Sequence, residues 1–97
     1  MSSWHHLPGG EILEAGLADL HAGRETAFAL AVAIGAPRLR LLGIDVPSVP
    51  EEPEHRLYAL LARDDADSAH SRYNALIRRL VSLERALECA SERPASE

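Results

Sequence analysis

Lysine is missing from this chain: all ten of its basic residues are arginine. Cysteine is nearly missing too. The single Cys89 has no intramolecular partner, which excludes a disulfide framework and a CxxC pair, so a reducing, cytoplasmic setting is the simplest expectation. Branched side chains are scarce, with valine, isoleucine and threonine supplying nine positions against 31 for alanine and leucine. That imbalance argues against a sheet, whose pleated surface suits branched residues, and for helices, in which straight side chains lose little entropy. No apolar run approaches the roughly 18–20 residues that a bilayer span requires. Residues 1–8 show no basic segment followed by an apolar one, so neither a membrane helix nor a secretory leader is expected. A net charge of −5 weighs against a surface built to coat phosphates. Internal repeats, phosphate-cradling glycine loops and zinc-type Cys/His spacings are absent as well.

What is present is helical periodicity. Within residues 66–90, Ala69, Tyr73, Leu76, Leu80, Leu83, Leu87 and Ala90 recur at alternating gaps of four and three, a heptad seam along one helix face. No glycine or proline interrupts it. The expected fold is therefore all-α, a small bundle of four to five helices with this long C-terminal helix as its spine. A chain of 97 residues makes one domain, assigned to 11–91, with a modest core that association with a second copy would help. Residues 1–10 read as an irregular lead-in, with Trp4 laying a large side chain on the bundle, and 92–97 as a tail.

Four further segments divide the chain before the seam. A first helix over 11–22 has Ile12, Leu13, Gly16, Leu17 and Leu20 on one side and stops at Gly23. A second, over 25–34, is apolar nearly all round, which suits a central position or a subunit interface. Gly35 is expected to end it, and Pro37 to open a short helix over 37–42 that Gly43 closes. The alternation of Arg38, Leu39, Arg40 and Leu41 leaves a strand over 38–46 as the competing assignment. After a connector carrying Pro47 and Pro50, Pro53 begins a helix over 53–63 with Leu57, Leu60 and Leu61 as its stripe. Asp64, Asp65 and Asp67 then mark a turn, Asp65 or Asp67 being the expected cap of the long helix, in preference to one continuous helix over 53–90.

For function, the informative feature is a second heptad line beside the seam: His70, Asn74, Ile77, Val81, Glu84 and Glu88. A helix that buries one stripe has no need of Ile77 and Val81 beside it, so two seams imply two neighbours. With the apolar Phe28 helix, this makes Asn74, Ile77, Val81 and Phe28 the expected interface of a self-associating interaction module, a homo-oligomer or the receiver of a helical protein partner. Asn74 would set the register by hydrogen bonding across that interface. Arg72, Arg78, Arg79 and Arg85 lie off the seam and read as a solvated face, with an anion-binding surface as the alternative.

Two resemblances point elsewhere. The stretch RDDADSAH, with six residues between Arg63 and His70, resembles the R-x4–6-H motif of the HEPN ribonucleases, helical bundles that dimerise and cleave RNA without a metal. That resemblance implies His70 as general acid or base and Arg63 as the group that steadies the phosphate. The run ETAFALAVAIGAPRLRLLGI, residues 25–44, resembles a helix-turn-helix, which implies Arg38 and Arg40 as DNA contacts. Five histidines, His5, His6, His21, His55 and His70, form no i,i+4 pair and no HExxH, so no metal and no cofactor is expected. Ser68, Ser71 and Ser82 have no nucleophile signature around them.

Overall fold

A computed structural model of the chain describes residues 7–92, and its elements within that range are four α-helices: α1 (Gly10–His21), α2 (Ala27–Leu41), α3 (Pro53–Asp64) and α4 (Ala69–Glu92). All the regular structure among the described residues is helical, as the alanine and leucine content favours. The expectations for Trp4, His5, His6 and residues 93–97 lie outside the described residues.

Helix ends fall where local chemistry puts them. Gly23 (φ 78°) and Gly43 (φ 93°) both take the left-handed conformation that ends a helix without a β-carbon penalty. At the first stop the Gly23 amide donates to the Leu20 carbonyl (3.1 Å) and Arg24 to Asp19 (2.8 Å). At the second, Gly43 donates to Arg40 (3.1 Å) and Ile44 to Leu39 (2.9 Å), so both stops satisfy the last carbonyls in the same reciprocal way. Between α1 and α2, Thr26 accepts the Ala29 amide at 3.2 Å and donates its own hydroxyl to Asp19 at 2.6 Å. The Thr26 hydroxyl first, and the Arg24 guanidinium second, hold the Asp19 carboxyl below its ordinary value of 3.8. Thr26→Ala should cost about 1 kcal/mol in urea denaturation through the lost cap. Because the folded carboxyl titrates lower than the unfolded one, its stabilisation is present above pH 3.8 and is lost as pH falls through the lowered value. The variant should show a shallower loss of stability across that acid range.

The segment over 25–44 departs from expectation. Gly35 and Pro37 lie inside one continuous helix, so the separate helix over 37–42 does not exist, nor does a strand over 38–46. The reason lies in the tertiary packing. A β-carbon at Gly35 would sit 2.8 Å from the Glu84 carboxylate and 3.3 Å from both Leu80 methyls, so this glycine is the point where α2 crosses α4. Pro37 is exposed, as is Arg38 after it, while Ala36 before it and Leu39 two residues on are fully buried. Proline inside a helix costs about 3 kcal/mol, and burying Leu39 returns roughly 1.5–3 kcal/mol of it.

The spine is also different. α2 packs against α1, α3 and α4, and Ala29, Leu30, Ala31, Val32, Ala33, Ala36 and Leu39 are all buried in it. Its apolar circumference is accounted for within one chain, by central placement. α4 packs on α2 as one neighbour among three, in the same direction, with Phe28 and Leu76 meeting at one end and Arg38 and Glu88 at the other. At the α1 crossing, a β-carbon on Gly16 would lie 2.6 Å from the Phe28 carbonyl oxygen and collide with Val32. The start of α1 reaches α4, where Glu11 pairs with Arg79.

Connections complete the frame. Arg40 donates to the carbonyls of Val46 and Pro47 (3.2 and 2.9 Å), which pins the proline-rich connector to the end of α2 and buries Val46. α3 begins at Pro53 as expected, and Arg56 ties it to Glu25 at 2.9 Å. The hairpin between α3 and α4 is formed, and the continuous helix over 53–90 is not. Its capping differs from expectation: α4 starts after Ser68, whose carbonyl accepts the Arg72 amide at 2.9 Å. Asp65 shapes the turn instead, accepting the Asp67 amide (3.2 Å) and the Ser68 hydroxyl (3.0 Å). Tyr58 and Tyr73 close the hairpin with ring centroids 5.8 Å apart and tilted by 54°. Burial against α3, and then the charge of Glu54, raise the Tyr73 hydroxyl above its usual pKa.

Candidate functional site

The heptad seam of α4 faces inward: Ala69, Leu76, Leu80 and Leu83 are buried, and Tyr73 and Leu87 pack on the core. At 100° per residue, this leaves α4 with two flanks on opposite sides of the seam. One carries Asn74, Ile77 and Val81; the other carries Arg72, Ala75 and Arg79.

On the first flank, Val81 is 38% exposed and Ile77 is half-buried. Asn74 lies one turn before Ile77, and its side-chain amide nitrogen is 3.1 Å from Nε2 of His70. Further along, Glu84 lies half-buried over Gly35. Loss of hydration there raises its pKa; Arg38 opposes the shift and Glu88 adds to it. Arg38 pairs with Glu88 at 2.9 Å. This flank therefore has an apolar centre between a His/Asn pair and two carboxylates.

The second flank borders an open groove of about 290 Å³ lined by Ala27, Phe28, Leu61, Arg72, Ala75, Leu76 and Arg79. Its floor is apolar and its rim arginines are engaged, Arg72 with Asp64 at 2.7 Å and Arg79 with Glu11. Both pairs are exposed, and such pairs contribute only about 0–1 kcal/mol each. Phe28 belongs to this groove. The four-residue interface read from the sequence thus has Asn74, Ile77 and Val81 on one flank of α4 and Phe28 in the groove beside the other. The separation follows from helix geometry: Phe28 meets α4 at Leu76 and Ala75, 100° or more round the helix from Ile77.

The residues named for other chemistries are dispersed. Arg63 lies exposed in the last turn of α3 and His70 exposed in the first turn of α4; no hydrogen bond or ion pair joins them. Nε2 of His70 faces Asn74. The break that a helix-turn-helix needs within 25–44 is absent, because α2 runs through it. Arg38 and Arg40 are held by Glu88 and by the connector carbonyls. His21, His55 and His70 sit on three different helices, and among the described residues no group of three or more His, Cys, Asp or Glu side chains converges on a metal-sized site. No described helix is long and apolar enough to cross a membrane.

Two features were missed in the sequence. Glu84 appeared as one polar member of a mixed line, and Gly35, its packing partner, as a helix stop. The groove joins residues from three helices that the sequence had assigned to separate roles: Phe28 to an interface, Leu61 and Leu76 to core stripes, and Arg72 and Arg79 to a solvated face. Comparison of the chain with family models, with curated proteins and with solved structures finds no match.

Proposed function

We propose that this chain is a small helical protein-interaction module that self-associates, with the Asn74–Ile77–Val81 flank of α4 as its contact surface and no catalytic centre. The observation that carries this reading is the apolar pair Ile77 and Val81, one half-buried and one exposed, one turn apart on a single flank of α4. Lone exposed hydrophobics are ordinary, as Leu41 at 85% exposure illustrates. A pair one helical turn apart, bracketed by polar groups, is the anatomy of a small contact patch with a polar rim. The engagement of Arg38 and Arg40 within the fold favours protein contact over phosphate contact. One exposed cysteine, Cys89, accords with a reducing, cytoplasmic setting.

Sedimentation velocity and light scattering test the reading. The chain should show a concentration-dependent dimer over about 10–500 µM, the range expected of an interface well below the standard size. Val81→Asp should abolish the dimer and leave the helical circular dichroism unchanged. A strict monomer throughout that range overturns the reading.

A further inference from the structure

The second heptad line on α4 has a property that depends on direction. Its spacing is symmetric about a point midway between Ile77 and Val81, with Asn74 and Glu84 equally far from that point, and His70 and Glu88 equally far beyond them. A two-fold axis through it, perpendicular to the helix, superimposes each residue's position on that of its mate.

We propose that two copies pair antiparallel along α4 in this one register, with Ile77 against the partner's Val81, Asn74 against the partner's Glu84, and His70 against the partner's Glu88. The proposal rests on the self-association reading and gives it a geometry. At the 8–10 Å axial separation usual for packed helices, all three pairs meet together, each twice.

The polar chemistry fits. An amide nitrogen can only donate, so Nε2 of His70, 3.1 Å from the Asn74 amide nitrogen, is the acceptor of that bond. The neutral imidazole then carries its proton on Nδ1, free to donate to the partner's Glu88. Glu88 uses one carboxylate oxygen, Oε1, on Arg38 and keeps the other for this bond. Asn74 has a second N–H, and Glu84 is half-buried with no hydrogen bond to any described residue, so it can accept that N–H from across the axis. Donors meet acceptors at both ends, and the apolar pairs meet in the middle.

Other arrangements fail on the same residues. A parallel pair sets Glu84 on Glu84 and Glu88 on Glu88, which places two carboxylates together at half-buried positions. Sliding an antiparallel partner by one heptad sets Val81 on Glu84 and Ile77 on Glu88, or Ile77 on Asn74 and Val81 on His70. Each slip loses the apolar centre and leaves polar groups unpaired.

Disulfide trapping tests the register in a Cys89→Ser background. Ile77→Cys and Val81→Cys chains are prepared separately and oxidised alone and as a mixture. The mixture should give a cross-linked dimer composed of one chain of each kind, and each variant alone should give little. Val81→Cys cross-linking to itself as readily as to Ile77→Cys would overturn the antiparallel register and leave self-association standing. A wild-type chain that sediments as a monomer would overturn both. A second measurement is free of disulfide geometry. Asn74→Asp should weaken the dimer about tenfold by facing a carboxylate with the partner's Glu84, and adding Glu84→Gln should restore it. Absence of that rescue, in a chain that still dimerises, overturns the register.

Discussion

Gly16→Val should leave this chain largely unfolded at room temperature, and even Gly16→Ala should destabilise it by about 1–3 kcal/mol in urea denaturation. Alanine is the better helix former by about 1 kcal/mol, so on α1 alone the substitution would be favourable. Packing reverses the sign. The new β-carbon would sit 2.6 Å from the Phe28 carbonyl oxygen, and that obstacle is backbone inside α2. Relief requires α1 and α2 to separate, which loosens the packing around Ile12, Leu13 and Val32, all fully buried. Valine adds two methyl groups to the same collision. Gly35 provides the internal control. Its obstacles are the Glu84 carboxylate and the Leu80 methyls, the far ends of flexible side chains. Gly35→Ala should therefore fall within about 1 kcal/mol of wild type, with the helix propensity gain offsetting the cost of moving them. Equal stability of Gly16→Ala and Gly35→Ala would refute the α1–α2 crossing described here.

Leu30→Ala is the second large effect, at about 2–5 kcal/mol. Leu30 is 1% exposed in the first turn of α2, a helix packed against the other three, so truncating it leaves a void in a close-packed core. Against a total stability of roughly 5–15 kcal/mol, this one change removes a large fraction. The thermal midpoint should drop by about 4–8 °C for each kcal/mol lost. Leu41→Ala, the same chemical change on the same helix at 85% exposure, should stay within about 0.5 kcal/mol of wild type. Were the two variants to melt together, α2 would not be the centre of the fold.

That contrast shows how the sequence misled. Leu30 and Leu41 both stand in runs of apolar residues, and the helix over 25–34 was legible as one buried on several sides. Whether its burial came from its own chain or from a second copy was not legible, because an apolar circumference looks the same in either case. The candidate surface was half legible. Asn74, Ile77 and Val81 follow from heptad spacing within one helix, and they do share a flank. Phe28 was grouped with them on composition, and it lies across the seam in a groove assembled from α2, α3 and α4.

Signals contained within a few residues were readable without the tertiary structure: the stops at Gly23 and Gly43, the start at Pro53, the turn after Asp64 and the buried seam from Ala69 to Leu87. Each depends on local backbone geometry or on a repeat along one helix, and a short stretch of chain carries that information. Tertiary structure alone decided that α2 is the spine, that Gly35 marks a helix crossing, that Glu84 is half-buried above it, and that the flanks of α4 are separate surfaces. These depend on how closely two helices approach, and that is set by side chains distant in sequence filling one another's space.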